Sequence, residues 1–278
     1  MFATPTLAAR IDRAEGRLCA NIASVVASAD PSAGSSTLEV AGGLAVFAGV
    51  SSPTNKMIGI GFEDAVDPHA LDPVERLFAE RGAALQAEVS SLADATLPGL
   101  LVGRGYVPAG YENVLGHPLQ GLDATPPDGI SISFVTPEER DTCIDVAVAA
   151  FAAPDVGGVG GDTLPPSDEL RRWMRLTMAA DGFECIAARI GERVVGYAAL
   201  RLDHGVAQLC GAGTLPEFRR RGVQTALLRW RLMKAKAAGC EVAVVTTQPA
   251  SKSQSNVQRE GFSLLYVRQL LVRPPTDA

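Results

Sequence analysis

The sequence predicts an α/β protein built on a mixed α+β sheet, with one pattern of elements occurring twice. Three observations carry this. In both halves, β-branched and aliphatic runs alternate with amphipathic segments. The segment QGLDATPPDG, residues 120–129, is rich in Pro, Gly and Asp and reads as a linker. Sliding the chain by 156 positions lays Val89 on Val245 and Gly105-Tyr106 on Gly261-Phe262, so the order helix, strand, helix, Gly-aromatic, strand repeats. The expected domains are 1–122 and 130–275.

In the first half, KMIGIGF reads as a strand, LDPVERLFAERG as a helix and LQAEVSS as a strand. ATLPGLLVGRG is a short helix and YENVLGHPL a strand. In the second half, ISISFVT is a strand and EERDTCIDVAVAAFA an amphipathic helix. A glycine-rich loop follows, then the helix SDELRRWMRLTMA, which opens with Ser, Asp and Glu as a helix start should. Three strands come next: FECIAAR, RVVGYAALRLD and VAQLCGAGT. The segment from Val223 forms a helix ended by Gly239. EVAVVTT is a buried strand, SKSQSNVQRE a short helix, and FSLLYVRQLLVR a final strand or strand pair.

The chain has 278 residues, 47% of them hydrophobic, which suits two domains with real cores. The net charge of -6 gives a nucleic-acid-binding role no support. No apolar run reaches membrane-spanning length. The N-terminal stretch carries charges where a secretory signal needs an apolar core, so a cytoplasmic location is expected. Cys19, Cys143, Cys185, Cys210 and Cys240 are scattered and read as reduced, packed thiols. With only His69, His117 and His204 beside them, no metal site is expected.

The stretch LPEFRRRGVQTALL poses the functional question. Arg219, Arg220 and Arg221 precede a helix whose N-terminus is already partly positive. Cations there weaken the helix by itself but strengthen a site for a highly charged anion, which the unpaired N–H groups of the first turn also attract. Gly222 lets an anion approach the backbone, so Arg220 to Thr225, with Val223 and Gln224 between, offer donors to a pyrophosphate. The corresponding region of the first half, EDAVDPHALDP, is acidic and has no such loop.

This loop resembles the acetyl-CoA loop of the GNAT superfamily of N-acetyltransferases, whose pattern is Gln or Arg, two residues, Gly, one residue, then Gly or Ala. Arg219 and Gly222 match, and Gln224 departs at the last position. EGFSLLYVRQLLVR resembles the family's Gly-Phe and closing strands, and the element order from Ile130 to Arg273 fits its fold. The resemblance implies a GNAT-type fold, tandem with a degenerate first copy. It also implies acetyl-CoA as co-substrate, its pantetheine arm along Ala212, Gly213 and Thr214 in a split between VAQLCGAGT and EVAVVTT. The implied reaction is direct attack by an amine, with a backbone N–H near Gly213 or Thr214 receiving the oxyanion. A small-molecule amine is the expected acceptor, ahead of a protein amine, with no nucleic-acid or membrane partner.

The family's Tyr, four residues before the Gly of Gly-Phe, is here Val257, and its strand Glu corresponds to Gln208. The substitutes the sequence offers are Ser253, one helical turn before Val257, its neighbour Asn256, and the strand residues Tyr266 and Tyr197. Cys210 reads as packing and Asp203-His204 as a surface turn. In the loop 153–166, Asp155 or Asp162 would attract a cationic amine. A non-catalytic acyl-CoA-binding sensor is the alternative to an enzyme. An interaction module, in which the first half recognises a protein, is a third reading.

Overall fold

Side-chain caps open some of the helices, and others start without one. The first, α1 (Pro5–Ala29), has Thr4 as N-cap, its Oγ1 accepting from the Leu7 N–H at 3.2 Å. Strands β1 (Ser36–Val40), β2 (Gly43–Phe47) and β3 (Lys56–Ile58) follow, then α2 (Asp72–Glu80), β4 (Leu85–Ser90), α3 (Leu97–Gly103) and β5 (Val107–His117). The second half contributes β6 (Ile130–Phe134), α4 (Arg140–Ala152), α5 (Ser167–Met178), β7 (Phe183–Ile190), β8 (Arg193–Asp203), β9 (Val206–Gln208) and β10 (Ala212–Thr214). It continues with α6 (Val223–Ala237), β11 (Val242–Thr247), α7 (Lys252–Arg259) and β12 (Ser263–Arg273). This computed structural model describes residues 1–122, 128–153 and 167–275.

The chain divides into two units. The first comprises Phe2–Val114 and the chain from Leu264 onward, and the second comprises Leu115–Ser263. This differs from the expected division at 122 and 130, because β12 pairs antiparallel with β4, Arg268 facing Ser90 and Arg273 facing Leu85. The last strand of the chain thus completes the first unit's sheet. The 156-residue shift lays α2 within α6 and β4, α3 and β5 on β11, α7 and β12, to within a residue at each end of these strands and the short helix.

In the first unit β1, β2 and β3 are antiparallel and β3 runs parallel to β4. Its core holds Phe47, Met57, Phe78, Leu85, Leu97, Leu101 and Tyr106. Beside that core lies a buried ionic cluster. The Arg268 side chain is fully buried, donating to Asp12 at 2.7 and 3.0 Å, to Glu15 at 2.6 Å and to Glu88 at 3.2 Å. Lys56 adds a second cation to Glu15 and Glu88. Glu112 stands 3.8 Å from Arg268, and its Oε2 has no hydrogen-bond partner among the described residues. Burial, and then the Glu88 carboxylate, push Glu112 up to about 8. Burial also pushes on Glu15, but Arg268 and Lys56 outweigh it and hold that carboxyl at about 2.

These opposite shifts have opposite consequences. Between the ordinary carboxylate value of 4.5 and about 8, the folded state holds a proton on Glu112 that the unfolded chain releases. Stability from this group therefore falls as pH rises through that window. The contribution of Glu15 is present above 4.5 and is lost only as pH falls toward 2. Urea unfolding at about pH 6 and about pH 9 is expected to show a loss of stability at the higher pH that Glu112→Gln largely removes. An undiminished loss in the variant would assign it to other groups.

In the second unit β6, β7, β8 and β9 are antiparallel neighbours, and β9 runs parallel to β11. One face packs on Leu227, Leu228 and Leu232 of α6. The other packs on Ile144 and Val148 of α4 and Leu170 and Met174 of α5. The stretch VAQLCGAGT, expected as one strand, is broken. Arg201 faces Gln208 while Ala198 faces Ala212, so three steps on β8 meet four on its partner. The extra residue is a β-bulge at 209–211, where the Ala199 N–H donates to both Cys210 O and Gly211 O at 3.1 Å. The Asp203-His204 turn stands as expected: His204 and Gly205 both take positive φ, as a two-residue hairpin turn requires.

Candidate functional site

The bulge determines where the sheet opens. Strands β9 and β11 are in register from Val206–Val242 to Gln208–Val244, and the Leu209 N–H donates to Val244 O at 2.9 Å. Past the bulge, β10 pairs only with β8. The Leu215 N–H donates to Val195 O and the Ala199 N–H to Gly211 O, so residues 211, 213 and 215 bond toward β8. Alternation then turns the backbone of Ala212 and Thr214 the other way, into the opening. Gly213, expected beside Thr214 as an oxyanion donor, faces β8. Its lack of a side chain serves packing, since a Cβ there would sit 2.6 Å from the Ala150 Cβ of α4.

A cleft of about 820 Å³ occupies this opening within the second unit. It is bounded by Ala150 and Phe151, by β10, by the loop and first turn of α6, and by the α7 face carrying Lys252, Ser253, Asn256 and Arg259. The N-terminus of α6 is bare. Gly222 is its N-cap at φ 83°, no side chain caps it, and its first turn has no acidic residue. Those N–H groups have no partner within the helix, and the cleft is where they point.

The three arginines divide their work. Arg219 turns inward and donates to three carbonyls: Thr214 at 3.4 Å, Ala150 at 3.2 Å, and Ala153. It fastens the loop to β10 and to the end of α4. Arg220 and Arg221 are exposed. Arg220 lines the cleft with a left-handed φ of 62°, uncommon for a residue with a side chain. Arg221 stands over the Phe218 ring at 5.2 Å. The acid in the lining, Glu260, is paired with Arg229 at 2.7 Å. Among the described residues, Arg219, Arg220, Lys252 and Arg259 therefore leave the lining cationic. Thr214 Oγ1 is buried at its edge, without a hydrogen-bond partner among the described residues. A bare helix end, excess positive charge, an orphan hydroxyl and an open strand edge fit an elongated polyanion such as acyl-CoA.

Gln224, which departs from the family pattern, is anchored. Its Oε1 accepts from Asn256 Nδ2 at 2.7 Å, and Asn256 Oδ1 accepts from Arg259. Val223 is buried against the core, while Gln224 and Thr225 line the cleft. Ser253 is exposed on the lining, whereas Val257 is buried in the core, so the two do not share the cleft face. Gln208 is buried and accepts from Arg201 at 2.7 Å.

The two tyrosines lie elsewhere. Tyr266 belongs to the first unit, and its hydroxyl donates to Asp12 at 2.5 Å. Tyr197 is buried among α4 and α5 side chains, its hydroxyl 4.0 Å from Cys185 Sγ. Their position on strands, which made them candidates, does not say which layer covers each strand. Asp155 and Asp162 lie outside the described residues. Arg259, missed in the sequence, was legible as the residue one turn beyond Ser255 on the polar side of α7.

At the corresponding helix of the first unit, chemistry is reversed. Asp72 and Glu75 occupy the first turn of α2, and Arg104 binds both, reaching Glu75 at 2.8 and 2.9 Å. No side chain caps that helix end either, but two carboxylates in its first turn offset its positive dipole.

Residues 157–262 match the model of the acetyltransferase (GNAT) family. No curated protein matches the chain. Among solved structures, a GCN5-related N-acetyltransferase from Kribbella flavida superposes with a TM-score of 0.65 at 16% identity, over 91% of this chain and 95% of that one. A conserved protein of unknown function from Staphylococcus epidermidis ATCC 12228 gives 0.63 at 10% identity, over 89% and 97%. A tandem GNAT protein from the clavulanic acid biosynthesis pathway gives 0.56 at 14%, over 84% and 79%. At these identities the likeness carries the fold, which is the mixed α/β fold of the GCN5-related N-acetyltransferases.

Proposed function

We propose that the second unit is an N-acetyltransferase that moves an acetyl group from acetyl-CoA to the amine of a small cytoplasmic molecule. The observation that carries this is the bare, cationic N-terminus of α6 beside the strand edge opened by the bulge. Phosphates would rest on the N–H groups of Gly222 to Thr225, with Arg220 supplying charge. The extended arm would pair with the Ala212 carbonyl and the backbone of Thr214.

In the reaction, the amine nitrogen attacks the thioester carbonyl carbon. The C–N bond forms, the C–S bond breaks, and the proton given up by the amine ends on sulfur as the free thiol. Backbone N–H groups of the opened strand stabilise the oxyanion. Ser253, on the cleft lining, is the proposed donor to sulfur. Gln208 accepts no proton, so the amine must arrive neutral, and weakly basic amines should be the better acceptors. A panel of amines followed by release of free CoA tests this. Turnover that Ser253→Ala slows by about tenfold or more, with acetyl-CoA affinity kept, is the expected result.

A second reading, an acyl-CoA-binding sensor, draws on one observation: the familiar acid and base positions are a core valine and a glutamine held by Arg201. Tight binding without turnover of any amine would favour it. The coincidence of α2, β4, α3 and β5 with their counterparts under the 156-residue shift supports a duplicated ancestry. The acidic α2 terminus supports a first copy without its own acyl-CoA site.

A further inference from the structure

Behind the opened strand lies a buried cation that no step above uses. Arg231, on α6, is 4% exposed. Its bonds end on backbone carbonyls: Leu227 at 3.2 Å, Ala199 at 3.1 Å and Cys210 at 3.4 Å. Among the described residues it pairs with no carboxylate. Burial pulls its pKa down, to about 10. A guanidinium held this way is costly where a methionine would fill the space without charge.

The carbonyls it holds explain its place. Cys210 O accepts from Arg231 and also from the Ala199 N–H, and Gly211 O accepts from the same N–H. A trans peptide directs its N–H opposite its C=O. With both carbonyls turned toward β8, the Gly211 and Ala212 N–H groups point to the side where β11 has departed. Two successive N–H groups on one side form an anion-receiving concavity. A charged donor on Cys210 O also polarises that peptide and strengthens its N–H as a donor.

Resting on the acyl-CoA reading, we propose that Arg231 is a positioning residue that clamps the bulge and aims the Gly211 and Ala212 N–H groups at the thioester carbonyl oxygen. The test is isotope-edited infrared spectroscopy of acetyl-CoA labelled with ¹³C at the carbonyl and bound to the full chain. The parent is expected to shift the carbonyl band to lower frequency than in free acetyl-CoA. Arg231→Met should lose that shift while keeping affinity for CoA, which has no carbonyl there, within about threefold. Arg231→Lys retains charge but not the fork, and should keep part of the shift even if the methionine variant folds poorly. A full shift in a folded Arg231→Met or Arg231→Lys protein, or no shift in the parent, overturns the inference alone. A folded parent that does not bind acetyl-CoA overturns the acyl-CoA reading and this inference with it.

Discussion

Gly222→Glu is expected to abolish acetyl-CoA binding by a chain that still folds. Gly222 holds φ 83° at the N-cap of α6, where a side chain costs about 1–2 kcal/mol. That cost alone would only loosen the loop. The larger effect is the carboxylate, which would cap the bare helix end and repel a pyrophosphate from the N–H groups it needs. It would place negative charge at the start of α6, as Asp72 and Glu75 do in the first turn of α2. Gly222→Asn separates the two effects, because asparagine tolerates left-handed φ and brings no charge. Titration calorimetry should give a loss of about a hundredfold or more for glutamate and a much smaller one for asparagine. Unchanged affinity in folded Gly222→Glu would remove the loop from the cofactor site.

Asp12→Ala should produce the largest loss of stability. Its Oδ1 receives the Arg268 guanidinium at 2.7 and 3.0 Å and the Tyr266 hydroxyl at 2.5 Å, and both Asp12 and Arg268 are 0% exposed. The substitution takes one of three bonded carboxylates from a fully buried guanidinium, and the acceptor from the Tyr266 hydroxyl. The cost should approach that of a broken buried pair, about 3–5 kcal/mol. Because Arg268 lies on β12, the loss should also loosen that strand from β4. Urea unfolding of the variant measures it, with Asp12→Asn as a milder second variant that keeps a hydrogen-bond acceptor. A cost below about 1 kcal/mol for both would mean that Glu15 and Glu88 suffice to hold Arg268.

Most of the second unit was legible because its local signals are strong. RVVGYAALRLD became β8 with the same ends, since its apolar run is bounded by turn residues on both sides. The loop before α6 was legible because a glycine with a left-handed φ marks the turn into that helix. The bulge was not, because an extra residue shows only in pairing with β8, which the one-dimensional pattern lacks. Nor were α1, β1 and β2, where the first 55 residues offer an alanine-rich helix and a short hairpin with no linker signal. The fate of Tyr266 depended on β12 joining the first unit, a long-range choice made by its partners Asp12 and β4. The anchoring of Gln224 by Asn256 joins positions 32 residues apart, which no spacing rule connects.

On the proposed function, the arginines at the N-terminus of α6 serve a phosphate-rich ligand. Calorimetric titration of acetyl-CoA into the parent chain and into a variant with Arg220 and Arg221 both changed to Ala tests it most directly. Neither side chain is an anchor of the loop, a task left to Arg219, so the variant should fold normally. One-to-one binding by the parent is expected, with a loss of about tenfold or more and a weaker salt dependence in the variant. No binding by the folded parent, or equal affinity in the two proteins, would contradict it.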